Sequence, residues 1–512
     1  MPKFKWDNWA STPNLAMMNE FELKLVFPDE KFPELEKLVI SKGGVRRQRL
    51  QAFYFDTDYF TLANSGIALR IRKEGRSWVQ TLKAPTSSGF ERLEHNVTLN
   101  HAGTGVPLLN LQLHADHPAF NAVTKVLQKE KLDPSALRVR YQTDIWRRAA
   151  LVRARGALLE YALDSGEIRA YQKDGLEKII GVTELEIELK SGDDCAVINH
   201  AKSLVRRYGL CIDTRSKAQR GYLAANGLVG ARPVKATELR IKQAHDGALS
   251  AALLNSCLSQ ILPNASEINT GLLYFDEHLH QLRVGLRRLK TAMKSLGLIQ
   301  IFFTENDLKE LETVFAQLGS YRDLNFLDEK LRPALAAVNA PQMNLVSVKD
   351  LPHPQQFLKQ KSFQLFCLSI IDLSLTLAKI DPSIQRLKPL ALKDLDKVQK
   401  DTKKLALNFM SIQDEQRHKL RKRLKRLRYS LEFFKDFCDQ KRYKDYLKSL
   451  GRVSESLGNY NDICVALDKS EQLLTADSNI LFAMGWLKAE QTRTRSECNE
   501  TLQRFYKLKK VW

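Results

Sequence analysis

Asn19-Glu20-Phe21-Glu22-Leu23-Lys24-Leu25 alternates strictly, with charge at 20, 22 and 24 and apolar side chains at 21, 23 and 25. Successive side chains of a β-strand point to opposite faces. The stretch therefore predicts a strand that sets Glu20, Glu22 and Lys24 in one row. Such a row has two readings. On a sheet edge it is a solvated face, a pattern that arises easily. On the inside of a closed sheet, two carboxylates and an ammonium would hold a hard cation and an anion together.

The following chain repeats the theme. After a short helical pattern at 28–38, alternating segments at 51–55, 66–72, 78–83, 90–99, 145–152, 158–164 and 183–189 are separated by Gly and polar turns, which predicts a β-barrel or sandwich. One face of several segments is apolar, while the other carries charge of both signs. Acids gather at Glu20, Glu22, Glu186 and Glu188, and Glu94, Glu160 and Asp164 lie on further alternating segments. Bases gather at Lys24, Arg70, Arg72, Lys83, Arg92, Arg147 and Lys217. A lumen this charged is costly unless its charges are paired or a ligand neutralises them. A polyanion with a divalent metal such as magnesium would do both.

The totals point the same way. The chain has 512 residues, enough for two or three domains. Its net charge of +21 implies an anionic partner: nucleic acid, polyphosphate or an acidic membrane surface. The cysteines at 195, 211, 257, 367, 438, 464 and 498 are odd in number and form no C-x-x-C pair, so reduced thiols in the cytosol are expected. Residues 1–17 have no apolar core of a signal peptide and read as a tail. The most apolar segment, 363–380, contains Gln364 and Asp372 and fits a buried helix better than a membrane span.

Glu20-Phe21-Glu22-Leu23-Lys24 matches the Glu-x-Glu-x-Lys signature of the CYTH superfamily, the triphosphate tunnel metalloenzymes. The resemblance also rests on Tyr54-Phe55-Asp56-Thr57, Leu69-Arg70-Ile71-Arg72, Gln80-Thr81-Leu82-Lys83, Glu184 to Lys190 and Ser216 to Tyr222. It implies an eight-stranded antiparallel β tunnel with flanking helices that binds triphosphates with Mg2+ or Mn2+. Carried onto this sequence, it makes Glu20, Glu22, Glu186 and Glu188 metal ligands. Lys24, Arg70, Arg72, Lys83, Arg92, Arg147 and Lys217 become phosphate contacts, and Glu20, Glu22 and Lys24 the catalytic signature. Phosphoryl transfer asks for positioning and neutralisation more than for a protein nucleophile. Hydrolysis of inorganic triphosphate to pyrophosphate and phosphate is the expected reaction.

A Gly- and Pro-containing stretch at 227–236 marks the change to helical texture. The expected divisions are a tail at 1–17, the tunnel domain at 18–228, a linker at 229–237 and an all-α domain at 238–512. The helical half contains a repeat. His280-x-Leu282-Arg283-x-x-Leu286-Arg287-Arg288-Leu289-Lys290 returns as His418-x-Leu420-Arg421-x-x-Leu424-Lys425-Arg426-Leu427-Arg428. Leu318-Gly319-Ser320-Tyr321-Arg322-Asp323 returns as Leu457-Gly458-Asn459-Tyr460-Asn461-Asp462. The leucines form core stripes. His280, Arg283, Arg287 and Lys290, like His418, Arg421, Lys425 and Arg428, line a second, cationic face. Two such faces packed together would repel unless an anion lies between them; the alternative is a pair of solvated cationic helices. A histidine metal site is disfavoured, because His278 and His280 do not share a helix face.

This half resembles the CHAD domain. The resemblance implies two pseudo-repeated helical bundles whose basic groove binds inorganic polyphosphate through those eight residues, with Arg288 and Arg426 beside it. Three functional classes follow: an inorganic triphosphatase with a polyphosphate-binding module, another CYTH activity (adenylyl cyclase, thiamine or nucleoside triphosphatase), or a non-catalytic polyphosphate binder. Nucleic acid is disfavoured, since few aromatics interleave the basic helices.

Overall fold

A computed structural model describes residues 21–85, 92–101, 103, 105–239, 246–270, 274–298, 305–343, 352–379, 387–473 and 477–512. The chain divides into two compact units: 1–235 with 262–278, and 236–261 with 279–512.

The first unit is one antiparallel sheet. Its strands are β1 (Glu22–Val26), β2 (Arg46–Asp56), β3 (Ala68–Glu74), β4 (Ser77–Pro85), β5 (Arg92–Leu99), β6 (Arg138–Ala154), β7 (Ala157–Tyr171), β8 (Glu177–Gly192) and β9 (Cys211–Ile212). They lie in the order β5-β4-β3-β2-β6-β7-β8-β1-β9. The ninth strand, beyond the eight expected, is the two-residue segment that pairs with Leu25 and Val26. Tight turns set the long hairpins, and Gly75 and Gly156 take the positive φ those turns require. Gly166 in β7 has no room for a side chain: a Cβ there would lie 2.1 Å from the Asp144 carbonyl oxygen. This lets β6 and β7 approach closely beside the charged residues.

The apolar face of the sheet is covered by helices. The first is α1 (Phe32–Ile40). The second, α2 (Pro118–Lys129), places Ala119, Val123 and Leu127 in one cluster with Leu69, Leu82 and Ala84. The third, α3 (Cys195–Tyr208), packs on β1, β7 and β8. Leu25, Leu185 and Ile187 are fully buried, and each such side chain contributes about 1.5–3 kcal/mol through removal from water. A fourth helix, α4 (Lys217–Ala225), lies instead on the polar face, at the end occupied by the stacked Tyr54 and Tyr141 rings. Gly221 permits this: a Cβ there would sit 2.3 Å from the Tyr141 ring.

Residues 228–239 carry no helix or strand. Beyond them run α5 (Asp246–Thr270), α6 (Phe275–Ser295), α7 (Glu305–Phe326), α8 (Lys361–Ala378), α9 (Leu387–Leu407), α10 (Asp414–Phe433), α11 (Gln440–Leu473) and α12 (Ile480–Tyr506), with shorter helical turns between α7 and α8. The leucine stripes are core: Leu282, Leu286 and Leu289 on α6 and Leu420, Leu424 and Leu427 on α10 are at most 1% exposed. α8 is long and apolar enough to cross a membrane, yet half of it is buried inside the protein.

Each repeat binds its own two blocks together. The Arg283 guanidinium donates to the Leu318 and Gly319 carbonyls, and the His418 ring meets Asn461 at 2.6 Å.

Candidate active site and basic cluster

Register places the sequence-predicted charges of the first unit on a single face. Residues directly opposite in an antiparallel ladder project to the same side. Glu22 faces Glu188, and Lys24 faces Glu186. Glu160 faces Glu188, and Asp164 faces Glu184. Arg147 faces Asp164. Through Tyr141 and Thr143 on β6, the same side continues to Tyr54 and Ala52, and from these to Arg70 and Arg72. It ends with Lys83 facing Glu94, and Arg92 opposite Pro85. The face is bipolar: carboxylates crowd β1, β7 and β8, and cations occupy β3 and β4. Glu20 and the side chain of Arg92 lie outside the described residues.

The acidic end is built around two cations. Arg147 clasps Asp164 through two bonds of 2.7 Å and also bonds Glu186. The Lys217 ammonium, on the first turn of α4, reaches Asp164 at 2.7 Å and Glu186 at 2.9 Å, and also bonds Glu184. Asp164, Glu184 and Glu186 offer oxygens within 4.8 Å of one another. Such crowding of carboxylates is tolerable only with positive charge between them. Burial opposes the ionisation of Glu186, yet Lys217 and Arg147 hold it at about 2. Burial likewise opposes the charge on Lys217, and the acids Glu184, Asp164 and Glu186 hold it well above the usual lysine range.

Glu22 behaves oppositely. Desolvation of the carboxyl by the surrounding protein, and then the charge of Glu186, push it above the ordinary value. Glu188 is bonded by Lys190 at 2.6 Å, and Glu160 by Arg46 at 2.6 Å. Lys24 donates to the carbonyl of Arg215.

At the basic end Lys83 pairs with Glu94 at 2.7 Å, and Arg72 bonds Glu74. Burial disfavours ionised Glu94, but the hydrogen bonds from Lys83 and Asn96 outweigh it and hold the carboxyl below its usual range. The buried Nε of Arg70 has no hydrogen-bond partner among the described residues.

Sequence reasoning gave no role to Arg46, Lys190 or Arg215. Arg46 was discoverable, since it shares parity with Ala52 and Tyr54 along β2. Arg215 was not: its part is played by a backbone carbonyl.

In the second unit the basic rows of α6 and α10 come together. Burial and then Lys290, Arg421 and Arg287 depress the Lys422 ammonium, so cations of both helices share one neighbourhood. Burial also depresses His418, with Lys422, Arg421 and Lys425 adding to it. His280 is exposed on α6. Lys290 has Glu312 at 3.2 Å, and Arg428 has Glu432 at 3.0 Å. Lys422 was missed because its counterpart in the repeat is Val284, although it lies one helical turn beyond His418. Arg288 and Arg426 are structural. Arg288 is buried against Gln260 and Ser256, and Arg426 bonds Asp394.

A charged face on an antiparallel sheet is thus followed along the chain by a helical unit with a cationic cluster. The chain carries a CYTH domain, whose family model matches residues 18–222, and a CHAD domain, whose model matches residues 252–469. It is 30% identical over 213 residues to a protein of Haemophilus influenzae named inorganic triphosphatase; the match takes in 40% of this chain and 55% of that relative. Among solved structures it is similar to the CHAD domain from the plant Ricinus communis, with 24% identity, 55% of this chain, 99% of that chain and a TM-score of 0.47. It is also similar to a Hippeastrum protein described as having a dominant triphosphatase activity, with 19% identity, 39% of this chain, 91% of that chain and a TM-score of 0.25.

Proposed function

We propose that the first unit hydrolyses inorganic triphosphate to pyrophosphate and phosphate with Mg2+ or Mn2+, and that the second binds inorganic polyphosphate. The observation that carries the first part is the bipolar face, with carboxylates at one end and phosphate-seeking cations at the other. The likeness to a relative named inorganic triphosphatase supports tripolyphosphate as the proposed substrate. The proposed divisions are 18–228 for the tunnel domain, 229–237 for the linker and 238–512 for the polyphosphate module. The cytoplasm is the proposed location, in keeping with seven cysteines that form no disulfide.

The donor set suits a hard divalent cation. Glu22, Glu186 and Glu188 offer only carboxylate oxygens, and Glu22 faces Glu188 across the β1–β8 ladder, a meeting of like charges that such a cation would relieve. Together with Glu20 they would hold it. When bound, the cation supplies charge neutralisation at phosphate oxygens and acidifies a bound water. The chain's own residues do the rest. Arg70 and Arg72 present guanidinium forks that match phosphate oxygens bidentately, and Arg92 is proposed to join them. Lys24 and Lys83 add point charges. Arg147 and Lys217, fixed by Asp164, are oriented before substrate arrives, which lowers the ordering cost of binding. Water is the nucleophile, and no Ser, Cys or His is required.

For the second unit, the gathering of Arg287, Lys290, Arg421 and Lys422 supports a polyanion ligand, with His280, His418, Lys425 and Arg428 completing the rows, while the buried guanidinium of Arg283 bonds the Leu318 and Gly319 carbonyls. The test supplies the full-length protein with tripolyphosphate, pyrophosphate, ATP and thiamine triphosphate, with Mg2+ or Mn2+. Phosphate and pyrophosphate released from tripolyphosphate are expected. Preferred turnover of ATP to pyrophosphate and cyclic nucleotide would replace hydrolase with cyclase.

A further inference from the structure

The catalytic row is held by a segment that the charge pattern leaves out. Between β9 and α4 runs Asp213-Thr214-Arg215-Ser216. Lys24 is tied to it twice: its carbonyl accepts from the Asp213 N–H at 3.1 Å, and its ammonium donates to the Arg215 carbonyl. Ser216 caps α4, accepting from the Gln219 N–H at 3.0 Å, and so fixes the start of the helix that bears Lys217. One short segment thus sets two cations of the site.

That segment is clamped from behind. The Arg215 guanidinium donates to Asp213 at 3.0 and 2.6 Å and to the Thr270 hydroxyl at 3.0 Å. The Ser266 hydroxyl receives the Thr214 N–H at 3.2 Å. Asp213 and Glu267, both less than a tenth exposed, flank the guanidinium with negative charge. Ser266, Glu267 and Thr270 belong to α5 and to residues 262–278, which pack with the first unit although they lie past residue 222, where the CYTH model's match ends.

We infer that Arg215 is a positioning residue for Lys24, and that the end of α5, through Thr270 and Ser266, is part of the working triphosphatase unit. The inference rests on the proposed activity for its kinetic readout only. A partly buried guanidinium with three fixed hydrogen bonds holds its own backbone still. Remove the guanidinium, and the Arg215 carbonyl is freed to move and Lys24 loses its anchor. Because Lys24 would contact substrate in both ground and transition states, the loss falls on KM more than on kcat.

The experiment compares full-length wild type with Arg215→Met, Arg215→Lys and Thr270→Val. Two quantities are read: tripolyphosphate kinetics, and the rate at which an amine-reactive acylating reagent labels Lys24, followed by peptide mass spectrometry. In Arg215→Met, KM is expected to rise about tenfold with kcat changed less, and Lys24 labelling to accelerate by a similar factor. Thr270→Val lies between, and Arg215→Lys recovers part of the loss. If Arg215→Met does not fold, Thr270→Val and Arg215→Lys carry the test by the same two readouts. Unchanged labelling of Lys24 across the folded variants overturns the inference. Wild type that labels as expected but hydrolyses no triphosphate overturns the proposed activity and leaves the clamp standing.

Discussion

The ammonium of Lys217 lies 2.9 Å from the carboxylate of Glu186, between residues 31 apart in sequence, and fills the space where three acids converge. The protein's own cation neutralises the acidic end of the sheet. Lys217→Met removes that charge while leaving Asp164, Glu184 and Glu186 in place. Breaking a buried pair from one side costs about 3–5 kcal/mol, so a large fall in the midpoint of denaturant unfolding is expected. Added Mg2+ should restore part of it, since a divalent ion can replace the ammonium among carboxylate oxygens. A variant as stable as wild type would show that Lys217 does not carry the neutralisation of these acids.

Glu22 and Glu188 face each other across the β1–β8 ladder. Glu22→Gln and Glu188→Gln remove carboxylate charge with little change of shape. Each is expected to lower Mg2+-dependent phosphate release by about 100-fold, with thermal stability little changed or, for Glu22→Gln, improved, because its raised carboxyl marks an unfavourable charge. Full activity in both variants would show that the cation is held elsewhere.

His114 gives a pH dependence with a definite sign. Its Nε2 lies 3.0 Å from the Gln80 amide and its Nδ1 2.9 Å from His95, while His117 stacks on His95. Burial, then His95 and His117, push its ring from the ordinary 6.5 down to about 4. Between those values the unfolded chain binds a proton that the folded chain refuses. Its stabilising contribution is therefore fully present above 6.5 and lost as pH falls toward about 4. His114→Gln should flatten the fall in melting temperature across that window; an unchanged slope would assign the fall to other groups.

Two arginine- and lysine-rich positions separate binding from stability. Lys422→Ala should weaken polyphosphate binding and reduce the salt slope of the affinity by about one ion, as loss of one phosphate contact does. Arg288→Ala should leave the slope alone and lower the unfolding midpoint, because Arg288 is 3% exposed and bonded to Gln260 and Ser256. Titration against polyphosphate at several salt concentrations, with parallel unfolding curves, reads both.

Much of the site was legible from alternation. Parity along β1 and β8 separated Glu22, Lys24, Glu186 and Glu188 from Leu23, Leu25 and Ile187, and the structure keeps that separation. Parity in one strand does not give its phase against the next, and a one-residue slip reverses the face. That Arg147 rather than Arg148 joins the charged face is a matter of register. Arg148, one residue on, points to the other side and pairs with Glu36 on α1 at 2.6 Å. The helical repeat was legible for the same reason as the strands, because a helix sorts leucines and cations by angle alone.

The amino-acid order by itself determined which side chains share a strand face or a helix stripe, because backbone geometry fixes those directions locally. Only the tertiary structure decided which carboxylate meets which cation, and which charges remain for a ligand. Lys24 meets the Arg215 carbonyl across 191 positions of chain. Whether an acid there is held ionised, as Glu186 is, or pushed upward, as Glu22 is, depends on burial and on neighbours brought from distant segments, and no local pattern encodes either.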